Sequence, residues 1–281
     1  EVHRVKRVNG EYASHAVNIS KNGVYIIVMT GTPIPNGYVD IYNFLHILFM
    51  DEYNEFFGFE GAMLKNPQPT EVQIINEKIQ PFFCRTTKEE LEVPPANADR
   101  IIPTIADNTE NKIFHILKMR YRKNKLALMI RTLQLESNPK LLLRNLDLSE
   151  FSYLLDDSAP TKEIDYADYS DDIKKMIRDC HDSSKFAAML DNAKRITGTG
   201  KTLIIWCIFI DSIKRISKAL EDDGISTRCI YGEVPLDERA KIIDDFKSGT
   251  TQVLITNPHT LAESVSLHTA CHDALYFEYS Y

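Results

Sequence analysis

A layered α/β fold built on buried parallel sheets is the class this sequence predicts, and three features predict it. The run Val24–Met29 packs Val24, Ile26, Ile27 and Val28 into a short, continuous apolar stretch, the pattern of a strand covered on both faces. The second half alternates helical and strand-like segments without interruption, which is how parallel sheets with crossover helices are encoded. Finally, 281 residues at 43% hydrophobic content can bury a substantial core, in two domains or one large one.

The composition excludes several alternatives. No run approaches the roughly 20 apolar residues of a membrane span, and residues 1–20 lack the apolar centre of a signal peptide. A net charge of −7 argues against a surface coated with positive charge, although a local basic groove stays open. Cys84, Cys180, Cys207, Cys229 and Cys271 lie far apart without a C-x-x-C pair, so neither zinc nor a disulfide framework is expected, and a cytoplasmic setting fits. The chain opens on Glu1 without a methionine and closes on the apolar-aromatic "ALYFEYSY", which reads as a piece of a longer polypeptide.

Each element has its own signal. The strand over Val24–Met29 must stop there, because Pro33 and Pro35 remove backbone donors while Gly31 permits a sharp turn. Thr30 and Thr32 then place two hydroxyls beyond the carboxyl end of a strand, where ligands of parallel sheets bind; a plain strand-to-helix turn is the other reading. "YVDIYNFLHILFM" has Val39, Tyr42, Phe44, Leu45 and Leu48 at helical spacing. The aromatic-rich "DEYNEFFGFEGAML" is broken by Gly58 and Gly61, and "TEVQIINEKIQPFF" reads as a helix from a Thr70 cap to Pro81. Three prolines make residues 92–110 a connector, with Arg100–Ile105 as a short extended piece.

One long helix is expected over 111–136, basic on one side through Lys118, Arg120, Arg122, Lys123, Lys125 and Arg131. The acidic stretch 147–182 reads as an insertion or linker, open to a protein partner; solvated surface also accounts for both charge runs. Then follow a helix in "SKFAAMLDNAKRI", a strand in "KTLIIWCIF", a helix from an Asp211 cap to Gly224, and a strand in "STRCIYG". "PLDERAKIIDDFKSG" is a helix framed by Pro and Gly, and "QVLITN" and "DALYFEY" are strands. "GTGKT" at 198–202 is not a phosphate loop. Arg195 stands where the first glycine is required, and the order is helix then strand, so no helix N-terminus faces an anion.

Taken together, these pieces resemble the ATP-dependent DNA translocases of helicase superfamily two, in the chromatin-remodelling-type branch named for the yeast sucrose-non-fermenting genes. The resemblance covers nearly the whole chain, and its most specific piece is "MTGTPIPNGYVDIYNFLHIL", which looks like that family's third motif. It implies two RecA-like parallel-sheet lobes, the first incomplete, with helical insertions between them. Residues 1–105 are then the C-terminal part of the first lobe, 106–182 a helical and acidic insertion, and 183–281 a truncated second lobe.

The same resemblance assigns roles. "EVHRVKR" is similar to the family's aspartate-glutamate-x-histidine box, so Glu1 acts on the water attacking the γ-phosphate and His3 couples hydrolysis to movement, with ATP and Mg²⁺ as the implied cofactors. Thr30 and Thr32 link nucleotide and nucleic-acid sites. Arg85 and Lys88 match the basic positions of the segment leading out of the first lobe. The Glu238–Arg239 pair falls on the helix after the glycine strand end, with Arg239 toward the nucleotide. Thr256, Asn257, His259 and Ser264 fall on the fifth motif, which holds double-stranded DNA by its phosphates without reading sequence. Here "HTLAESVSL" departs from the family pattern, with Ala262, Ser264 and Ser266 in place of its glycine-rich run, which suggests a bacterial or phage member.

Neither a phosphate loop nor the paired arginines of the family's last motif occurs in the sequence, so this stretch alone is expected not to hydrolyse ATP. A non-catalytic DNA- or protein-binding regulatory module on a degenerate helicase fold is the alternative.

Overall fold

The computed structural model describes residues 2–7, 10–144, 169–261 and 265–279. It divides into two compact units, residues 1–98 and 99–281.

The first unit is helical. Its helices are α1 (Glu11–Ser20), α2 (Tyr42–Phe49, entered through a 3-10 turn at Tyr38–Ile41), α3 (Tyr53–Phe56), α4 (Gly61–Lys65) and α5 (Pro69–Ile79). Ile41, Phe44 and Leu45 fall on one face at helical spacing, and they bury against Tyr53, Phe57, Phe59, Leu64 and Ile75. The Tyr53 hydroxyl donates to the Phe59 carbonyl at 2.9 Å, and burial pushes its pKa up to about 12. Gly58 makes the intervening turn at a φ of 57°, a conformation that disfavours side chains. The α5 cap is Gln68, not Thr70: Pro69 occupies the first helical position, and the Gln68 amide donates to the Glu71 carboxylate at 2.6 Å.

The strand expected over Val24–Met29 is absent. The segment has no regular structure and bends at Val24 and Tyr25, and Val24, Tyr25, Ile27 and Met29 are exposed, Tyr25 at 93%. A strand exists only by pairing, and no strand is formed among the described residues of this unit; the segment's tie to the opening residues is the Val2 amide donating to the Met29 carbonyl at 3.0 Å. β-branched composition alone therefore did not make a strand here, since no partner strand pairs with it among the described residues.

The second unit is α/β. Its elements are α6 (Asn108–Arg120), α7 (Lys125–Ser137), α8 (Asp171–Asp179), α9 (Ser184–Thr197), β1 (Leu203–Trp206), α10 (Ile210–Asp222), β2 (Thr227–Ile230), α11 (Leu236–Lys247), β3 (Val253–Thr256), α12 (Pro258–Leu261) and β4 (Ala274–Tyr276). The single helix expected over 111–136 is two: α6 ends at Arg120 with Tyr121 as its cap, and Asn124 starts the next, its side chain accepting from the Ala127 amide at 3.0 Å.

The four strands pair in parallel in the order β2-β3-β1-β4, with Leu203 opposite Val253, Thr227 opposite Val253 and Ile204 opposite Ala274. This is the parallel α/β arrangement expected. Period-two alternation sends Leu203, Ile205, Val253 and Ile255 to a face covered by α9 and α10, and Ile204 and Leu254 to a face covered by α11. The two central strands, β1 and β3, are covered on both faces, as parallel sheets require, while Arg228 and Tyr276 are exposed on the edge strands. Gly224 and Gly249, both at φ 79°, end α10 and α11 where the sequence placed the stops. Asp211 lies within α10 rather than capping it, and pairs with Arg144 at 2.6 Å. The helical part has its own core, in which Ile113, Leu117, Ala127, Leu135, Leu142 and Ile177 are buried.

Candidate functional site

Two sequence pieces that lie 27 residues apart meet in the first unit. His3 Nδ1 sits 3.0 Å from Thr30 Oγ1, and the same hydroxyl oxygen accepts the Thr32 amide at 3.1 Å. Thr30 thus holds the turn and touches the opening segment at once. Thr32 is exposed, while Thr30 is half-buried. Glu1 lies outside the described residues.

The scaffold beneath this contact comes from α2 and the turn before it. Buried Asp40 accepts the amides of Asn36 at 2.7 Å and Gly37 at 3.2 Å, closing the loop that follows Thr-Gly-Thr-Pro. Buried Asn43 donates its amide to the carbonyls of Val5 at 2.7 Å and Arg7 at 2.6 Å, which clamps the segment carrying His3. Sequence reasoning passed over both residues. Their signal was there: two polar residues three apart, at 40 and 43, on the same face as Phe44, where a core-facing helix should be apolar.

Arg85 and Lys88 are exposed at the end of the first unit. The turn around Lys88 is tied by a reciprocal pair, the Thr87 amide donating to Glu90 at 2.6 Å and the Glu90 amide donating to the Thr87 hydroxyl at 3.2 Å. The Thr87 amide holds the Glu90 carboxyl below its usual range.

In the second unit the expected site residues serve the fold directly. The Arg239 guanidinium donates to the carbonyls of Val234 at 2.7 Å, Gly232 at 2.9 Å and Tyr231 at 3.4 Å, bracing the turn between β2 and α11. Thr256 is fully buried at the end of β3, where its hydroxyl donates to the Ile230 carbonyl at 2.8 Å. Asn257 Oδ1 accepts the Thr260 amide at 3.1 Å and so starts α12. Ser264 and the His259 side chain lie outside the described residues. The structure therefore joins His3 with Thr30, and Thr256 with the β2 end, within their own units.

A further buried acid was not singled out from sequence. Glu278, 2% exposed, accepts the amides of Ile208 at 2.6 Å and Phe209 at 2.8 Å and the Ser212 hydroxyl at 2.5 Å, which caps α10 from the end of β4. Burial pushes its pKa up. An acid within the apolar run "ALYFEYSY" was the available signal.

The glycines of "GTGKT" form no phosphate cradle. Gly198 closes α9 and Gly200, at φ 81°, turns the chain into β1, so the "GTGKT" amides do not open a helix. No group of three His, Cys, Asp or Glu is placed to hold a metal ion, and no helix is long and apolar enough to cross a membrane, among the described residues.

Comparison with known proteins supplies the wider context. The sequence matches the SNF2-related domain over residues 1–147 and the helicase conserved C-terminal domain over 184–272. It is 28% identical over 67 residues to the ATP-dependent RNA helicase DBP3 of Chaetomium globosum, an alignment spanning 24% of this chain and 12% of that relative. Similar solved structures include the Sulfolobus solfataricus SWI2/SNF2 ATPase C-terminal domain (14% identity, TM-score 0.42, covering 60% of this chain and 66% of the other). The C-terminal part of the Fun30 ATPase domain gives 15%, 0.44, 66% and 76%. The Pyrococcus furiosus Hef helicase domain gives 14%, 0.46, 76% and 57%.

Proposed function

Because the chain belongs to the SNF2-related domain family, whose match spans more than half of it, we propose that it is part of an ATP-dependent motor that moves on double-stranded DNA. In this reading His3 and Thr30 are the relay between hydrolysis and movement. The single observation that supports it is their 3.0 Å contact, made between the two segments that the family resemblance singles out. A hydrogen bond between an imidazole and a hydroxyl can change with the state of a neighbouring phosphate, because either group can donate or accept. Asn43 and Asp40 position the two sides of that contact.

Arg85 and Lys88, both exposed, contact DNA phosphates in this proposal. Thr256 acts by fixing the turn after β3, since its hydroxyl is engaged by Ile230, and Arg239 acts by shaping the turn after β2. Catalysis draws on residues beyond those described, with Glu1 acting on the attacking water and ATP with Mg²⁺ supplying the phosphoryl chemistry.

The test is fluorescence anisotropy of two unrelated 30-base-pair duplexes with residues 1–281, between 50 and 200 mM salt. Equal affinities that fall steeply with salt support backbone binding. A preference for one duplex, or no binding, contradicts it. The alternative is a regulatory module without catalysis. DNA-stimulated ATP hydrolysis by the parent polypeptide separates the two: hydrolysis supports the motor, and binding without hydrolysis supports the module.

A further inference from the structure

The corner between α6 and α7 stands out in charge. Residues 111–135 contain seven Lys or Arg and no Asp or Glu, in a chain whose net charge is −7. Lys118, Arg122, Lys123 and Lys125 are exposed and make no ion pair within 4 Å among the described residues. Arg120 stacks over the Tyr169 ring at 5.2 Å, which anchors the corner to the segment before α8.

The local electrostatics are mixed: Lys118 and Arg120 lie in the last turn of α6, where cations are favoured, and the start of α7 is the exception. A helix N-terminus carries partial positive charge and favours acids. The starts of α6, α8, α10 and α11 obey this with Glu110, Asp171, Asp211 and Asp237, and α9 borrows Glu110, which accepts the Ser184 hydroxyl at 2.8 Å. The first turn of α7 has no acid, and Arg122, Lys123 and Lys125 crowd it instead. Cations placed against the positive end of a helix repel it, and a polyanion bound there offsets that repulsion.

We propose that this corner is a second docking surface for the phosphate backbone of nucleic acid, separate from Arg85, Lys88 and the turn after β3. The inference rests on the DNA-binding reading above. The chemistry selects nucleic acid over an acidic protein, because protein interfaces centre on buried apolar and aromatic side chains. Within 111–135 the exposed large apolar residue is Met119 alone among the described residues. Phosphate contacts need cations and no apolar centre, which is what the corner offers.

The experiment compares residues 1–281 with the quadruple variant K118Q/R122Q/K123Q/K125Q, using anisotropy of a 30-base-pair duplex from 50 to 200 mM salt. Each phosphate contact contributes about 0.9 to the slope of log affinity against log salt, so the variant should lose roughly two to four units of slope and tenfold or more in affinity at 50 mM. Its Tm should stay close to that of the parent chain, since the substituted side chains are exposed. Should the quadruple variant misfold, K118Q/R122Q and K123Q/K125Q, each checked by circular dichroism, should each show about half the loss. Unchanged slope and affinity in a folded variant overturn the docking surface while leaving the DNA reading intact. Absence of duplex binding by the parent chain overturns both. If the variant keeps the duplex but releases a poly-glutamate peptide that the parent chain holds, the partner is an acidic protein and the proposal falls.

Discussion

Asn43 shows how one side chain sets the candidate site. It satisfies two carbonyls of the segment bearing His3, so Asn43→Ala should cost about 1–3 kcal/mol in urea denaturation, the range for stranding partly buried polar groups. Amide exchange in residues 2–7 should rise at the same time; unchanged exchange would show that the segment is held by other contacts. Glu278 gives a pH signature. Its pKa is raised in the fold by burial, so the folded protein binds this proton more tightly than the unfolded chain. The associated stability is therefore complete below the ordinary glutamate range and is lost as pH rises through the folded value. Glu278→Gln should flatten the decline of Tm over that window, and a variant with the parent's pH slope would contradict the assignment. Thr30 was legible in sequence because Gly31, Pro33 and Pro35 punctuate its surroundings. Asp40, Asn43 and Glu278 carried only the signal of a polar residue on an otherwise apolar face, which does not say which buried backbone groups it meets.

At the level of elements, the second unit was written plainly in the sequence, because its helices carry caps and glycine stops and its strands are continuous apolar runs. Two elements were not. The Val24–Met29 stretch has strand composition without a strand to pair with, and pairing is non-local information that composition does not hold. The break at Tyr121–Asn124 is marked by a single capping asparagine inside a pattern whose apolar period continues on both sides. Asp107 anchors α6 through the amides of Thr109 and Glu110, each at 2.7 Å, while Glu110 reaches back to the Asp107 amide at 2.8 Å. Asp107→Ala should therefore cost about 0.5–2 kcal/mol. Ile205, fully buried in β1, should cost about 2–5 kcal/mol as alanine, through lost transfer energy and a residual cavity. Denaturant midpoints check both, and a loss at Asp107 exceeding that at Ile205 would invert the account of what holds this unit together.

On the scale of the molecule, the chain is a helical unit and a parallel α/β unit, and membership of the SNF2-related domain family gives the pair its functional context. Residues 1–281 alone are expected to show no ATP hydrolysis above buffer with or without DNA, because the sequence contains neither a phosphate loop nor the paired arginines that the family resemblance calls for. Detectable DNA-stimulated turnover would require a nucleotide site in this stretch. The relay between His3 and Thr30 is most directly tested by DNA-stimulated ATP turnover of the parent polypeptide carrying His3→Ala, Thr30→Val or both. Each single substitution should cut the stimulation, and the double variant should be no worse than the poorer single one, as for two groups acting through one contact. Undiminished stimulation in both single variants, or losses that add in full, would contradict it.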